Sequence, residues 1–95
     1  MRRDAYKIFS EATISGVKLK NRLVRSATFE AAMTDDGKLT DTMVALYRNL
    51  AKGGVGLIIT GHMAVMQKGK AAHRQTCIYD DAFINEIKPI ADIVH

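Results

Sequence analysis

Gly53-Gly54-Val55-Gly56-Leu57-Ile58-Ile59-Thr60-Gly61 is the stretch whose reading decides the fold. Before it, Met43, Leu46, Tyr47, Leu50 and Ala51 recur at i, i+3, i+4, i+7 and i+8, which makes one apolar helical face. Thr40 or Asp41 supplies the N-cap of that helix, and Gly53-Gly54 its stop. Val55 to Thr60 is then predicted as a buried strand of a parallel sheet, a kind of strand that helices cover on its outer face.

Working outward, Thr13 to Lys20 alternates loosely around Gly16 and predicts a β-hairpin. Residues 1–12 form a lead-in, with Ile8 and Phe9 as its expected anchors. Leu23-Val24-Arg25-Ser26 reads as a short strand. Residues 27–39, with the turn signal Asp35-Asp36-Gly37, read as a long loop. Gly61 to Thr76 reads as a second loop, polar and basic. Asp80 or Asp81 caps a second helix whose apolar positions are Phe83, Ile84, Ile87, Ile90, Ala91 and Val94. Pro89 inside that run is expected to kink or split the helix near Lys88.

The order is hairpin, strand, helix, strand, helix. Alternating strands and helices imply an α/β fold with a parallel sheet. Two parallel strands leave both flanks of the sheet open, so a third strand is expected after the second helix and the sequence reads as incomplete.

The composition excludes several function classes. At 47% hydrophobic and 25% charged residues, the sequence is that of a globular protein and not of a disordered one. No apolar run approaches the roughly 18 residues that cross a membrane. The net charge of +4 is scattered along the chain and is not interleaved with aromatics, which argues against nucleic acid as a partner. The single cysteine, Cys77, fits a reducing, cytoplasmic setting.

Candidate chemistry is sparse. Gly53-Gly54-Val55-Gly56 has the look of a phosphate-binding cluster, but it follows a helix and precedes a strand, the reverse of the dinucleotide fingerprint. His62, His73 and Cys77 match no zinc spacing. Met33, Met43, Met63 and Met66 are expected in packing roles. Among the carboxylates, Asp35-Asp36 belong to a turn and Asp80-Asp81 to a cap, which leaves Glu30 without a structural duty. In parallel α/β folds ligands bind beyond the carboxyl ends of the strands. Those ends are Ser26-Ala27-Thr28-Phe29-Glu30 and Thr60-Gly61-His62-Met63.

Four blocks carry a family resemblance: Leu19 to Thr28 (LKNRLVRSAT), Asp36 to Thr40 (DGKLT), Tyr47 to Gly61 (YRNLAKGGVGLIITG) and Ile78 to Asp81 (IYDD). In this order and at these separations the sequence resembles the Old Yellow Enzyme family of NADH:flavin oxidoreductases. The resemblance runs from about Ile8 to His95. It implies the N-terminal part of a (β/α)8 TIM barrel, namely the bottom-closing hairpin, two barrel strands and two helices. Residues 1–95 are thus expected to be a portion of one FMN-binding barrel domain.

The resemblance further implies FMN as cofactor, NADH or NADPH as reductant, and a small-molecule acceptor such as an unsaturated carbonyl. By position, Ser26, Ala27, Thr28 and Phe29 match the segment that lies along the flavin ring, and His62 matches the residue after the second strand that approaches it. Two positions depart from the family pattern. Phe29 stands where Thr or Cys commonly hydrogen-bonds the flavin, and His62 stands where Ala or Gly is usual. The family's catalytic residues fall in later segments, so none is assigned here. Residues 1–95 alone are expected to hold no FMN stably and to self-associate through open sheet edges. A non-catalytic truncated barrel fragment is the alternative reading.

Overall fold

The computed structural model describes residues 5–95. It begins with a 3-10 turn, Lys7–Phe9, and a hairpin of β1 (Ala12–Ile14) and β2 (Val17–Leu19). Ser15 and Gly16 both have positive φ, 47° and 83°, the pattern of a type I′ turn, whose twist suits a two-residue hairpin loop. The lead-in is held by its backbone, through Arg22 N–H to Ile8 O at 2.8 Å. Ile8 itself is exposed, contrary to the expectation that its side chain anchors the segment, while Phe9 is half-buried.

The βα unit around the glycine-rich stretch forms as read. Strand β3 (Val24–Arg25) leads through the long loop into α1 (Asp41–Lys52), which leads into β4 (Leu57–Ile58). β3 and β4 are parallel, with Val24 opposite Leu57 and Arg25 opposite Ile58. Thr40 is the N-cap of α1; its hydroxyl accepts the Met43 N–H at 3.2 Å. Gly54 takes φ +90° just past the helix, a conformation that carries little cost only without a Cβ. Gly56 is also constrained, since a Cβ there would lie 2.5 Å from both Asn21 O and Asn21 Oδ1. Buried Asn21 staples this turn to the chain before β3: its Nδ2 donates to Gly54 O at 2.6 Å and its Oδ1 accepts Leu23 N–H at 3.0 Å.

Two expectations about the strands need correction. The ladders are shorter than Leu23–Ser26 and Val55–Thr60, and β4 is not buried: Ile59, just beyond it, is 48% exposed. The reason is one-sided pairing. β4 hydrogen-bonds β3 alone among the described residues, and one sheet face is uncovered. Ile58 packs into the helical core, so its neighbours Leu57 and Ile59 point to the opposite face.

The segment 61–76 is more than a loop. It contains β5 (Met63–Ala64) and a 3-10 turn (Gln67–Gly69) and runs into β6 (Thr76–Cys77), and β5 and β6 pair in parallel. Bridges of two residues carry too little periodicity to be seen in sequence. Asp80 then caps a 3-10 turn (Asp81–Phe83) through Ala82 N–H at 2.9 Å, and α2 (Ile84–Val94) follows. Pro89 lies inside α2 without splitting it. Packing along the α1–α2 contact, through Ile90 and Val94, offsets the lost backbone bond.

The core comprises Met33, Met43, Tyr47 and Ile90, with Leu39, Leu46, Leu50, Ile58 and Val94 against it. Met33 and Met43 therefore pack as expected, whereas Met66 is exposed. Glu86 reaches from α2 to accept Leu39 N–H at 2.6 Å and ties the long loop to the helices. Gly37, with φ +83°, closes the Asp35–Gly37 turn against Cys77 and Phe83; a Cβ there would lie 2.6 Å from the Phe83 ring. Among the described residues the strands form three two-stranded sheets and no closed barrel. The Cα radius of gyration, 15.3 Å, exceeds the roughly 12 Å of a compact domain of this length.

Candidate functional site

Parallel pairing of β3 and β4 brings their carboxyl ends to the same side of the sheet. Ser26, Ala27, Thr28 and Phe29 leave β3 as an exposed segment without regular structure, and His62 follows β4, also exposed. The Phe29 and His62 rings meet edge to face, with centroids 4.9 Å apart and planes at 90°. Residues 33 positions apart in sequence thus share one edge of the molecule. Thr28 Oγ1 is engaged locally, donating to Ser26 O at 3.1 Å.

Glu30 acquires a structural duty. Its Oε2 accepts the Tyr47 hydroxyl from α1 and the Gly61 backbone N–H at 3.1 Å. Gly61 is packed so closely that a Cβ would lie 2.6 Å from Thr28 O and would overlap the Glu30 carboxylate. Burial, followed by the hydrogen bond and charge of Glu30, pushes the Tyr47 phenol well above its ordinary pKa. It therefore remains a protonated donor. The Arg25 guanidinium acts on it in the opposite sense, and Arg25 Nη1 is buried with no hydrogen-bond partner among the described residues.

Sequence reading treated Tyr47 as one more apolar helix position. The signal available was the residue type: a tyrosine in a core stripe needs an acceptor for its hydroxyl. Glu30, left without a duty, was the natural one. Asn21 was also missed.

The remaining candidates do not converge. Cys77 is buried in β6, while His73 lies on the surface with Nδ1 3.7 Å from Asp35 Oδ1. Among the described residues no three His, Cys, Asp or Glu side chains cluster as a metal site.

Residues 7–95 match the NADH:flavin oxidoreductase / NADH oxidase family. The chain belongs to that family. FMN is the cofactor of that family. An NADPH dehydrogenase of a Geobacillus species is 35% identical over 88 residues, 92% of this chain and 26% of that protein. A metal reductase of Desulforamulus reducens is 34% identical over 87 residues, 92% of this chain and 13% of that protein. Among solved structures, the Old Yellow Enzyme from a Pichia species superposes with a TM-score of 0.85 at 29% identity. That alignment covers 94% of this chain and 23% of that chain. The chain therefore spans about a quarter or less of the relatives it matches, and its α/β architecture is a piece of their barrel.

Ser26, Ala27 and Thr28 have small, exposed side chains, and the Phe29–His62 ring pair lies at the same strand ends. Phe29 has no side-chain hydrogen-bonding atom, so polar contact at that position falls to the backbone.

Proposed function

We propose that the protein carrying this chain is an FMN-dependent NAD(P)H oxidoreductase of the Old Yellow Enzyme type, acting on an electron-poor alkene, such as an unsaturated carbonyl, or a similar small molecule. One observation carries this reading. The family match over residues 7–95 coincides with a fold that places the ends of its two parallel strands on a shared, exposed edge.

In this proposal Ser26, Ala27, Thr28 and Phe29 lie along the flavin ring, and His62 closes the side after β4. When bound, FMN supplies hydride transfer between a nicotinamide and the acceptor. The residues of this chain orient the ring and exclude water from one edge of it. Phe29 and His62 make that edge bulkier than the Thr or Cys and the Ala or Gly usual in the family, and so narrow the approach from this side. Residues 1–95 form a portion of one barrel domain, and we place the protein in the cytoplasm. Two relatives are named for different acceptors, a metal and a disulfide, so the acceptor is the part of the proposal that experiment supplies.

The test is turnover by the protein expressed from its complete reading frame. NADH or NADPH should bleach a flavin band anaerobically, and a cyclic enone should restore it. A purified, folded protein that retains no FMN, or bound FMN that neither nucleotide reduces, would contradict the proposal. For residues 1–95 alone we expect no stoichiometric flavin after desalting, with association through the free edges of β3 and β4 and the apolar face around Val24 and Ile59.

A further inference from the structure

We infer that Glu30 and Tyr47 are a positioning pair: through Gly61 they fix the spacing between the segments after β3 and β4, and so hold Phe29 and His62 in contact. The consequence for flavin rests on the function proposed above. The mechanical claim does not.

One oxygen, Glu30 Oε2, joins three parts of the chain. It takes a hydrogen bond from Tyr47 on α1 and one from the Gly61 backbone after β4, while Glu30 itself follows β3. Phe29 is one peptide bond before Glu30, and His62 is one after Gly61. The ring pair therefore sits beside the clamp on both strands. A Cβ on Gly61 would lie 2.6 Å from Thr28 O, so even a methyl group would force the segments apart.

Tyr47 roots the clamp. Its ring is among the least exposed side chains in the molecule and belongs to the core with Met43, Met33 and Ile90. The hydroxyl therefore has a fixed origin. A hydrogen bond to a charged, partly buried acceptor is stronger and more directional than one made in water. Glu30 is drawn inward toward α1, and the neighbouring residues are left facing outward. Phe29 and His62 are themselves exposed and lie beyond the last ladder bond, Ile59 N–H to Arg25 O at 3.0 Å, where the clamp is the next tie between the two segments.

The test compares Tyr47→Phe, Glu30→Ala and Glu30→Gln in the protein expressed from its complete reading frame. One readout needs no flavin: the NMR shifts of the His62 ring protons, which the Phe29 ring displaces, with Phe29→Ala as the reference for a lost contact. The second is FMN affinity by fluorescence titration. Tyr47→Phe and Glu30→Ala should move the His62 signals to the Phe29→Ala position and weaken FMN binding about tenfold, the loss of one charge-assisted hydrogen bond. Glu30→Gln, whose carbonyl oxygen can accept both bonds, should stay near wild type on both readouts. Unmoved His62 signals in Tyr47→Phe would overturn the inference, as would equal effects of Glu30→Ala and Glu30→Gln. If Tyr47→Phe does not fold, the Ala-against-Gln comparison at Glu30 decides. Moved His62 signals with unchanged FMN affinity would overturn the flavin consequence. A wild type that binds no FMN but shows the His62 response would defeat the proposed function and leave the positioning pair standing.

Discussion

Helix α1 and strand β4 are consecutive elements that each present apolar side chains, yet they end up in different circumstances. On α1, Met43 and Tyr47 are each 1% exposed, closed over by Met33, Ile90 and the flanking leucines. On the strand side, Leu57 is half-buried and Ile59 is 48% exposed. A helix satisfies its own backbone and needs one partner surface, which α2 and the long loop provide. A strand of a parallel sheet needs neighbours on both flanks and cover on both faces. The contrast shows which part of the unit is self-sufficient and which part is shaped for further structure.

Mutations can break that contrast or sharpen it. Met43→Ala should cost about 2–5 kcal/mol of unfolding free energy wherever it is measured, because the cavity lies inside a closed core. A loss under about 1 kcal/mol in a denaturant melt would mean that the helix face is not closed. Ile59→Ala discriminates the other way. In the protein from the complete reading frame it should approach the same cost, with the inner face covered. A near-neutral result, within about 0.5 kcal/mol, would say that this face stays solvent-exposed.

Gly61→Ala should come next, at about 1–3 kcal/mol, since the added methyl meets backbone on one side and a carboxylate on the other. Thr40→Ala should cost about 1 kcal/mol as a lost N-cap, read as a lower melting midpoint. The smallest effect is one of pH. The Tyr47 phenol is raised above its ordinary value of 10.0, so its protonated form is favoured in the folded state. That contribution is fully present below pH 10.0 and is lost as pH rises through the raised value. Wild type should therefore lose stability relative to Tyr47→Phe above pH 10.0, and parallel alkaline melts for the two would contradict the shift.

What the sequence disclosed was governed by local rules. The Ser15-Gly16 turn, the Thr40 cap, the Asp35–Gly37 turn and the two helical periods each depend on a few adjacent residues, and each formed. The β5–β6 bridge was hidden because two-residue partners thirteen positions apart leave no period to detect. Pro89 does not split α2, whose packing on α1 holds the helix through it. At the site, architecture alone located the strand ends, and resemblance supplied Ser26 to Phe29 and His62. The Glu30–Tyr47–Gly61 join was not visible, since it depends on a strand end, a helix face and a second strand end meeting in space. Two residue choices hinted at it: a carboxylate with no local task and a tyrosine in an apolar stripe.

The central claim is that the ends of β3 and β4 face a bound flavin. Its most direct measurement is the midpoint potential of FMN in the protein from the complete reading frame, compared with Phe29→Thr and His62→Ala. Both substitutions should displace the potential and the flavin absorbance band, Phe29→Thr by restoring a hydroxyl at the ring and His62→Ala by opening its side. Tightly bound FMN whose potential and spectrum are the same in all three proteins would contradict the account.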